Sequence, residues 1–256
     1  MTDSKFSHNH LLSIAGLDPS AGAGILADVK TFETHRLYGF VVCTGLTFQN
    51  DVDFYDIKWI DVKDIIRQTD VLYERFTIDW IKIGLIENLE VLEEIINYLK
   101  SRNPKVKIIW DPILKASAGF IFHDQPDRKK LLNICKKLYL ITPNSREIKT
   151  MFPEMEEQKA GEYLSRFCSV FLKSWKTENR EVIDILYNGK EKVHLFGKMI
   201  NTDKHGTGCI FSSAVLANLA QGKSLLKSCQ NAKSYVSKFR ASDKGKLGFH
   251  YYDHVT

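Results

Sequence analysis

The residues best placed to do chemistry lie in two glycine-rich segments. Toward the end of the chain, Asn201-Thr202-Asp203-Lys204-His205-Gly206-Thr207-Gly208-Cys209 runs into an apolar stretch that carries small residues at Ser212, Ser213 and Ala214. A glycine loop at a helix N-terminus directs unpaired backbone N–H groups at one spot, and the helix dipole adds partial positive charge there. Such a cradle suits a phosphate group. No lysine follows the last glycine, so this is not a Walker A loop. Cys209 falls in the first helical turn, a placement that lowers a thiol pKa. We therefore expect a thiolate fraction near neutral pH, able to take a proton from a substrate hydroxyl. Cys43, Cys135, Cys168 and Cys229 lie inside apolar or helical stretches and read as core residues. His205 either contacts phosphate or fills the loop.

The other segment is Ala15-Gly16-Leu17-Asp18-Pro19-Ser20-Ala21-Gly22-Ala23-Gly24, which follows an apolar run and opens a helix. Its small residues let a ligand approach the backbone, and Asp18 stands beside them as a binding candidate. Gly22 to Ala27 also fits the dinucleotide pattern G-x-G-x-x-G/A, so an NAD-binding oxidoreductase is one alternative. That fingerprint needs its glycines in a tight turn directly after the strand. Here Leu17 to Ala21 intervene and lengthen the loop. Asp28, in the helix that follows, is either an exposed polar residue or a functional one.

These loops need a frame, and the hydrophobic pattern supplies it. Short apolar runs at 11–15, 40–43, 80–83, 106–110, 139–141 and 170–172 read as buried strands. Helical periodicity appears over 25–35, 61–76, 89–100, 126–138, from Ser145, over 161–167, and over 208–220 and 224–239. Two β-rich runs, 181–187 and 192–196, flank Asn188-Gly189, a strong hairpin turn. The alternation predicts an α/β fold with a mostly parallel sheet, helices on both faces, and an antiparallel hairpin at one edge. In such a sheet ligands bind outside the carboxyl ends of the strands, so residues just after a strand, the first glycine segment among them, carry extra weight. A single domain over residues 1–256 is expected, with residues 1–10 as a flexible tail.

Composition narrows the function. The net charge of +5 is spread along the chain with no basic stripe, which argues against nucleic-acid binding. Five cysteines with wide spacings and no CxxC argue against a disulfide framework or structural zinc. The start of the chain is polar and no apolar run could span a bilayer, so a cytoplasmic protein without membrane contact is expected.

Together the two loops resemble the ribokinase-like superfamily and, within it, the hydroxymethylpyrimidine/phosphomethylpyrimidine kinases of thiamine biosynthesis. The resemblance runs from about Leu12 to His250. It is carried by the opening signature Ala15 to Phe32, then Gln49-Asn50, Lys82-Ile83-Gly84-Leu85, Asp111-Pro112-Ile113-Leu114-Lys115, Thr142-Pro143-Asn144 and Gly206-Thr207-Gly208-Cys209, in that order. It implies a small pyrimidine substrate phosphorylated on its hydroxymethyl group, ATP as donor, Mg²⁺, and a homodimer. Ala23, Gln49, Leu85 and Ile113 fall where the family contacts the ring, and Asp18 and Asp28 near that site. Asn144-Ser145-Arg146-Glu147 matches the N-x-x-E element that organises Mg²⁺ and phosphate through water, with Asp111 beside the same charge. Gly206, Thr207 and Gly208 match the anion hole, and Cys209 the base. Lys173 keeps a cation at the nucleotide.

One departure stands out. The family usually has Lys-Gly-Gly where this chain has Lys173-Ser174-Trp175. Trp175 could stack on the base, cover the site, or mark a drifted substrate. A pyridoxal kinase and a non-catalytic ligand sensor on the same scaffold are therefore kept as alternatives.

Overall fold

The computed structural model describes residues 10–114, 126–176, 182–196 and 204–251. The expected tail up to residue 9, Lys115, Glu181 and the loop start Asn201-Thr202-Asp203 lie outside these ranges. Among the described residues one nine-stranded sheet runs in the order β3-β2-β1-β4-β5-β6-β7-β8-β9. Its strands are β1 (His10–Leu17), β2 (Gly39–Gln49), β3 (Phe54–Trp59), β4 (Ile78–Ile83), β5 (Lys107–Trp110), β6 (Leu140–Ile141), β7 (Ser169–Lys176), β8 (Val182–Asn188) and β9 (Glu191–Phe196). The central pairs β2–β1, β1–β4, β4–β5, β5–β6 and β6–β7 are parallel. The pairs β2–β3, β7–β8 and β8–β9 are antiparallel. Strand order reverses at β1, which opens a crevice at the carboxyl ends of β1 and β4.

The helices are α1 (Gly24–Thr34), α2 (Val62–Tyr73), α3 (Leu89–Arg102), α4 (Arg128–Cys135), α5 (Ser145–Met151), α6 (Glu157–Leu164), α7 (Thr207–Ala220) and α8 (Leu225–Ala241). Side-chain alternation divides them between the two faces. Leu12, Ile14, Ile81, Ile83, Ile108 and Trp110 pack with the apolar stripes of α2 to α6. Leu11, Ile109, Leu140 and Phe171 point the other way, onto Phe32 of α1 and onto α7 and α8. Helix α7 is buried on every side, which explains its lack of a polar face. Its N-terminus therefore emerges from the middle of the molecule, beside the crevice. No described helix is long and apolar enough to cross a membrane.

The expected architecture holds, with differences at its edges and element boundaries. Strand β2 runs on to Gln49, and β3 was not anticipated. Its residues Phe54-Tyr55-Asp56-Ile57-Lys58-Trp59 are only partly covered, as suits an edge strand, and no apolar run marks them. Helix α6 begins at Glu157 rather than near Gly161, and Phe167 lies in the turn that follows it. His10, assigned to the tail, opens β1.

The unusual Lys173-Ser174 sequence sits at a break in the register of β7 against β8, between Leu172 and Trp175. Ser174 adopts φ 57°, in the left-handed region where the resemblance would place glycine. The bulge is held from three sides. Ser174 N–H donates to Asp184 Oδ1 at 2.8 Å, Asp184 pairs with Lys233, and Ser145 Oγ donates to Ser174 O at 3.2 Å. The backbone course is thus kept at the cost of strain, and the bulge re-aims Lys173. The Trp175 side chain, weighed above as a stacking group, lies outside the described part of the chain. We expect Ser174→Gly to raise stability by up to about 1 kcal/mol, the left-handed strain relieved outweighing the added freedom of the unfolded chain. A urea melt that shows a clear loss would refute this account of the bulge.

Candidate active site

The two glycine loops close on each other backbone to backbone. A methyl group built on Gly206 would fall 1.9 Å from Gly22 O, and one on Gly22 would fall 2.6 Å from His205 Cδ2. Gly206, the N-cap of α7, has φ 74°. Both the close approach and the left-handed backbone require glycine there. Side chains complete the clasp. Asp18 Oδ2 accepts from Ala23 N–H at 2.9 Å and lies 2.8 Å from His205 Nε2, while Oδ1 accepts from Ser20 N–H at 2.9 Å. Burial would raise the Asp18 pKa, but these bonds from His205 and Ser20 hold it below the usual carboxylate value. The C-terminal stretch closes the back of the loop. Lys204 Nζ donates to Gly245 O and Leu247 O at 2.5 and 2.7 Å, and His205 N–H donates to Lys246 O at 2.9 Å.

This geometry bears on both loops. The N-terminus of α1 already has an anion, the Asp18 carboxylate, so a dinucleotide pyrophosphate would meet like charge there. Asp18, expected to bind substrate, instead holds the loops together, and His205 is its partner.

Gly208, in the first turn of α7, is partly exposed. A methyl group there would stand 3.4 Å from Lys173 Nζ and 3.5 Å from Asp111 Oδ2. Lys173 Nζ donates to Asp111 Oδ1 at 2.7 Å, and Thr142 Oγ1 donates to the same oxygen at 3.0 Å. Burial works against both charges, but the pair keeps the Asp111 pKa lowered and, with Glu147, the Lys173 pKa raised. Asn144 and Glu147 form a capping box at α5: Asn144 Oδ1 accepts from Arg146 and Glu147 N–H, and Glu147 Oε2 accepts from Asn144 N–H. Asn144 bridges to Lys173, whose own N–H donates to Pro143 O at 2.8 Å. Burial, opposed by Lys173 and aided by Asp111, lifts the Glu147 pKa to about 7.

Among the described residues no cluster of three or more His, Cys, Asp or Glu side chains could hold a metal. Asp111 Oδ2, beside Gly208 and 3.4 Å from Ser212 Oγ, is a hard oxygen donor of the kind Mg²⁺ prefers, and Mg²⁺ usually keeps several waters. The residues present therefore fit a Mg²⁺ held through water and phosphate, and do not form a protein cage.

Cys209 requires a correction. Its side chain is 5% exposed and lies against the first loop, with the Gly24 N–H directed at the sulfur. Burial raises its pKa to about 11, against the pull of Lys82, and Asp28 and Asp111 add to the rise. Loss of hydration outweighs the helix N-terminus, so the expected thiolate fraction near neutral pH is absent in this state.

Asp28 is corrected as well. It is fully buried, with Oδ2 accepting from Lys82 Nζ at 2.7 Å and Ser13 Oγ at 2.5 Å, and Oδ1 from Ser213 Oγ at 2.7 Å. A carboxylate with these partners has little capacity left for a substrate. Ala23 caps α1, and Leu85 packs against Gly16, where a methyl group would come within 3.0 Å of it. Gln49 closes β2 opposite Phe54, and Ile113 lies two residues beyond Asp111; both are partly exposed, and neither joins the described hydrogen bonds of the clasp.

Two residues were missed. Lys82 is a lysine between two isoleucines in a buried strand, and a charge at an inward position was the available signal. Asp184, which holds the bulge, carried none.

A family model described as phosphomethylpyrimidine kinase matches residues 18–252. A hydroxymethylpyrimidine/phosphomethylpyrimidine kinase of Aquifex aeolicus is 33% identical, over 93% of this chain and 96% of its own. The crystal structure of a phosphomethylpyrimidine kinase from Clostridium difficile superposes with a TM-score of 0.75 at 27% identity, covering 90% of this chain and 98% of that one. An ADP complex of Bacillus subtilis pyridoxal kinase gives a TM-score of 0.78 at 26% identity, over 91% and 92%.

The clasp makes its own prediction. Gly206→Ala must force the loops apart and place alanine in the left-handed region, a loss of about 2–4 kcal/mol. A denaturation midpoint equal to that of the unaltered protein would show that the backbone contact is not tight.

Proposed function

Because the chain belongs to the phosphomethylpyrimidine kinase family and has the ribokinase-like fold expected of it, we propose that the α7 cradle receives the γ-phosphate of ATP. The chain is a phosphotransferase, a hydroxymethylpyrimidine/phosphomethylpyrimidine kinase. It phosphorylates the hydroxymethyl group of 4-amino-5-hydroxymethyl-2-methylpyrimidine and then the resulting monophosphate. The observation that carries the site assignment is the convergence of Lys173 Nζ and Asp111 Oδ2 on the partly exposed Gly208, in the first turn of α7 and next to Cys209.

Phosphoryl transfer asks little covalent chemistry of a protein. It needs positioning, donors aimed at the developing charge, and an acceptor for the hydroxyl proton. In this reading the N–H groups of Thr207, Gly208 and Cys209 stabilise the transferring group, and Lys173, held by Asp111 and the Ser174 bulge, meets the phosphates. Asn144, Glu147 and Asp111 orient the water around Mg²⁺, which supplies neutralisation of phosphate oxygens when bound. Ala23, Gln49, Leu85 and Ile113 line the ring at the carboxyl ends of β1, β2, β4 and β5. Cys209 accepts the proton. With its pKa raised to about 11 the thiol is protonated at neutral pH, so it must first pass its own proton to water, the cations around it stabilising the sulfur anion, before it can take the hydroxyl proton. The reading extends to a homodimer in the cytoplasm, where the free cysteines suit a reducing compartment.

The pyridoxal kinase alternative rests on the shared fold of the Bacillus subtilis enzyme, and one assay separates the two. ATP-coupled turnover is measured with the hydroxymethylpyrimidine, its phosphate and pyridoxal. We expect turnover with the first two. Activity on pyridoxal alone overturns the substrate assignment. Cys209→Ala should lower kcat by about 10²- to 10⁴-fold with KM little changed. An unaltered kcat removes Cys209 as the proton acceptor.

A further inference from the structure

Beneath Cys209 lies a charge that the scheme above leaves without a task. Lys82 of β4 is wholly buried, and its ammonium is 2.7 Å from the equally buried Asp28. Ser13, its register partner on β1, donates to the same Asp28 oxygen. The placement relative to the thiol follows from helix geometry. Ser213, which donates to the other Asp28 oxygen, is four residues after Cys209 and so lies under it on one face of α7. Asp28 is four residues after Gly24, whose N–H is directed at the sulfur, and so lies under that contact on α1. Gly84 leaves the space into which the lysine extends: a methyl group there would fall 2.8 Å from Lys82 Nζ.

A buried ion pair is a poor way to stabilise a fold, since apolar residues of similar volume often do as well or better. Its position under a thiol is a reason for its presence. We infer that Lys82 is a positioning residue acting through Cys209, its buried ammonium being the fixed countercharge for the sulfur when the sulfur gives up its proton. This rests on the assignment of Cys209 as proton acceptor.

The charged groups that face the sulfur are Lys82 from β4, Asp28 from α1, Asp111 after β5 and Lys173 from β7. Lys173 and Asp111 also face the cradle and will meet the phosphates. Lys82 is fully buried and hydrogen-bonded to Asp28 rather than to a cradle residue, so its effect persists through the reaction. Asp28 offsets part of that charge, so the two partners of the pair act on the thiol in opposite directions.

That opposition is the test. The full-length protein is treated with iodoacetamide at a fixed pH well below 11, and modification of Cys209 is followed by peptide mass spectrometry. Cys43 and Cys168, both half-buried, serve as internal controls for the fold. Below its pKa the alkylation rate follows the thiolate fraction. Lys82→Met should slow modification of Cys209 by about tenfold, and Asp28→Asn should speed it by about tenfold, while the control thiols stay unchanged. Where Lys82→Met alone does not fold, Asp28→Asn is compared with the double variant Lys82→Met/Asp28→Asn, in which Cys209 should again react more slowly. Equal rates in all variants, or shifts in one direction for both partners, overturn the proposal, because a merely structural pair would loosen the site alike from either side. Opposite shifts in a protein that has no kinase turnover would uphold the countercharge and count against the functional assignment instead.

Discussion

The contact between Gly22 and Gly206 is the constraint on which the rest of the site depends. Two segments far apart in the chain meet with almost nothing but main chain between them, and the Asp18–His205 pair fixes their offset. That contact sets where α7 begins relative to α1. It therefore decides what the α7 N–H groups face and where the Cys209 sulfur lies. Lys173 and Asp111 approach from the carboxyl ends of neighbouring strands and complete a cradle whose floor is already placed. Side chains at either glycine would separate the walls before any ligand arrived.

The electrostatics follow from the same closeness. The site buries several charges, and each is matched: Asp18 by His205 and loop N–H groups, Asp28 by Lys82 and two serines, Asp111 by Lys173 and Thr142. Two groups are moved furthest toward their neutral forms, the Cys209 thiol and the Glu147 carboxyl. The charges that remain beside the α7 N-terminus are therefore the fixed Lys173–Asp111 pair and the backbone dipoles. A prearranged field of this kind needs no reorganisation when charge develops.

The frame was largely legible because each central strand is buried on both faces and so stands out as an apolar run. Strand β3 escaped because an edge strand mixes Asp56 and Lys58 with its aromatics. The cradle was legible too, since glycines before an apolar helix have few other uses. What could not be read was protonation and pairing. The helix-terminus effect on Cys209 is local and visible in the order of residues, whereas its desolvation comes from α1, β4 and the first loop, and is larger. Asp28 was ambiguous for the same reason, as its partner Lys82 lies 54 positions away. At Ser174 the residue type pointed to a change of backbone, yet the glycine-like conformation survives through Asp184 and Lys233.

The Asp18–His205 bond joins residues separated by 187 positions. Between them lie eight of the nine strands of the sheet, β2 to β9, which must be in place before α7 can dock. Closing so long a loop is slow and its entropic cost falls early, so the cradle is among the last features to assemble. A chain still emerging from the ribosome, however much of its sheet has formed, lacks the cradle in which we propose that a nucleotide is held. Occupancy by ligand is in this sense a signature of completed folding.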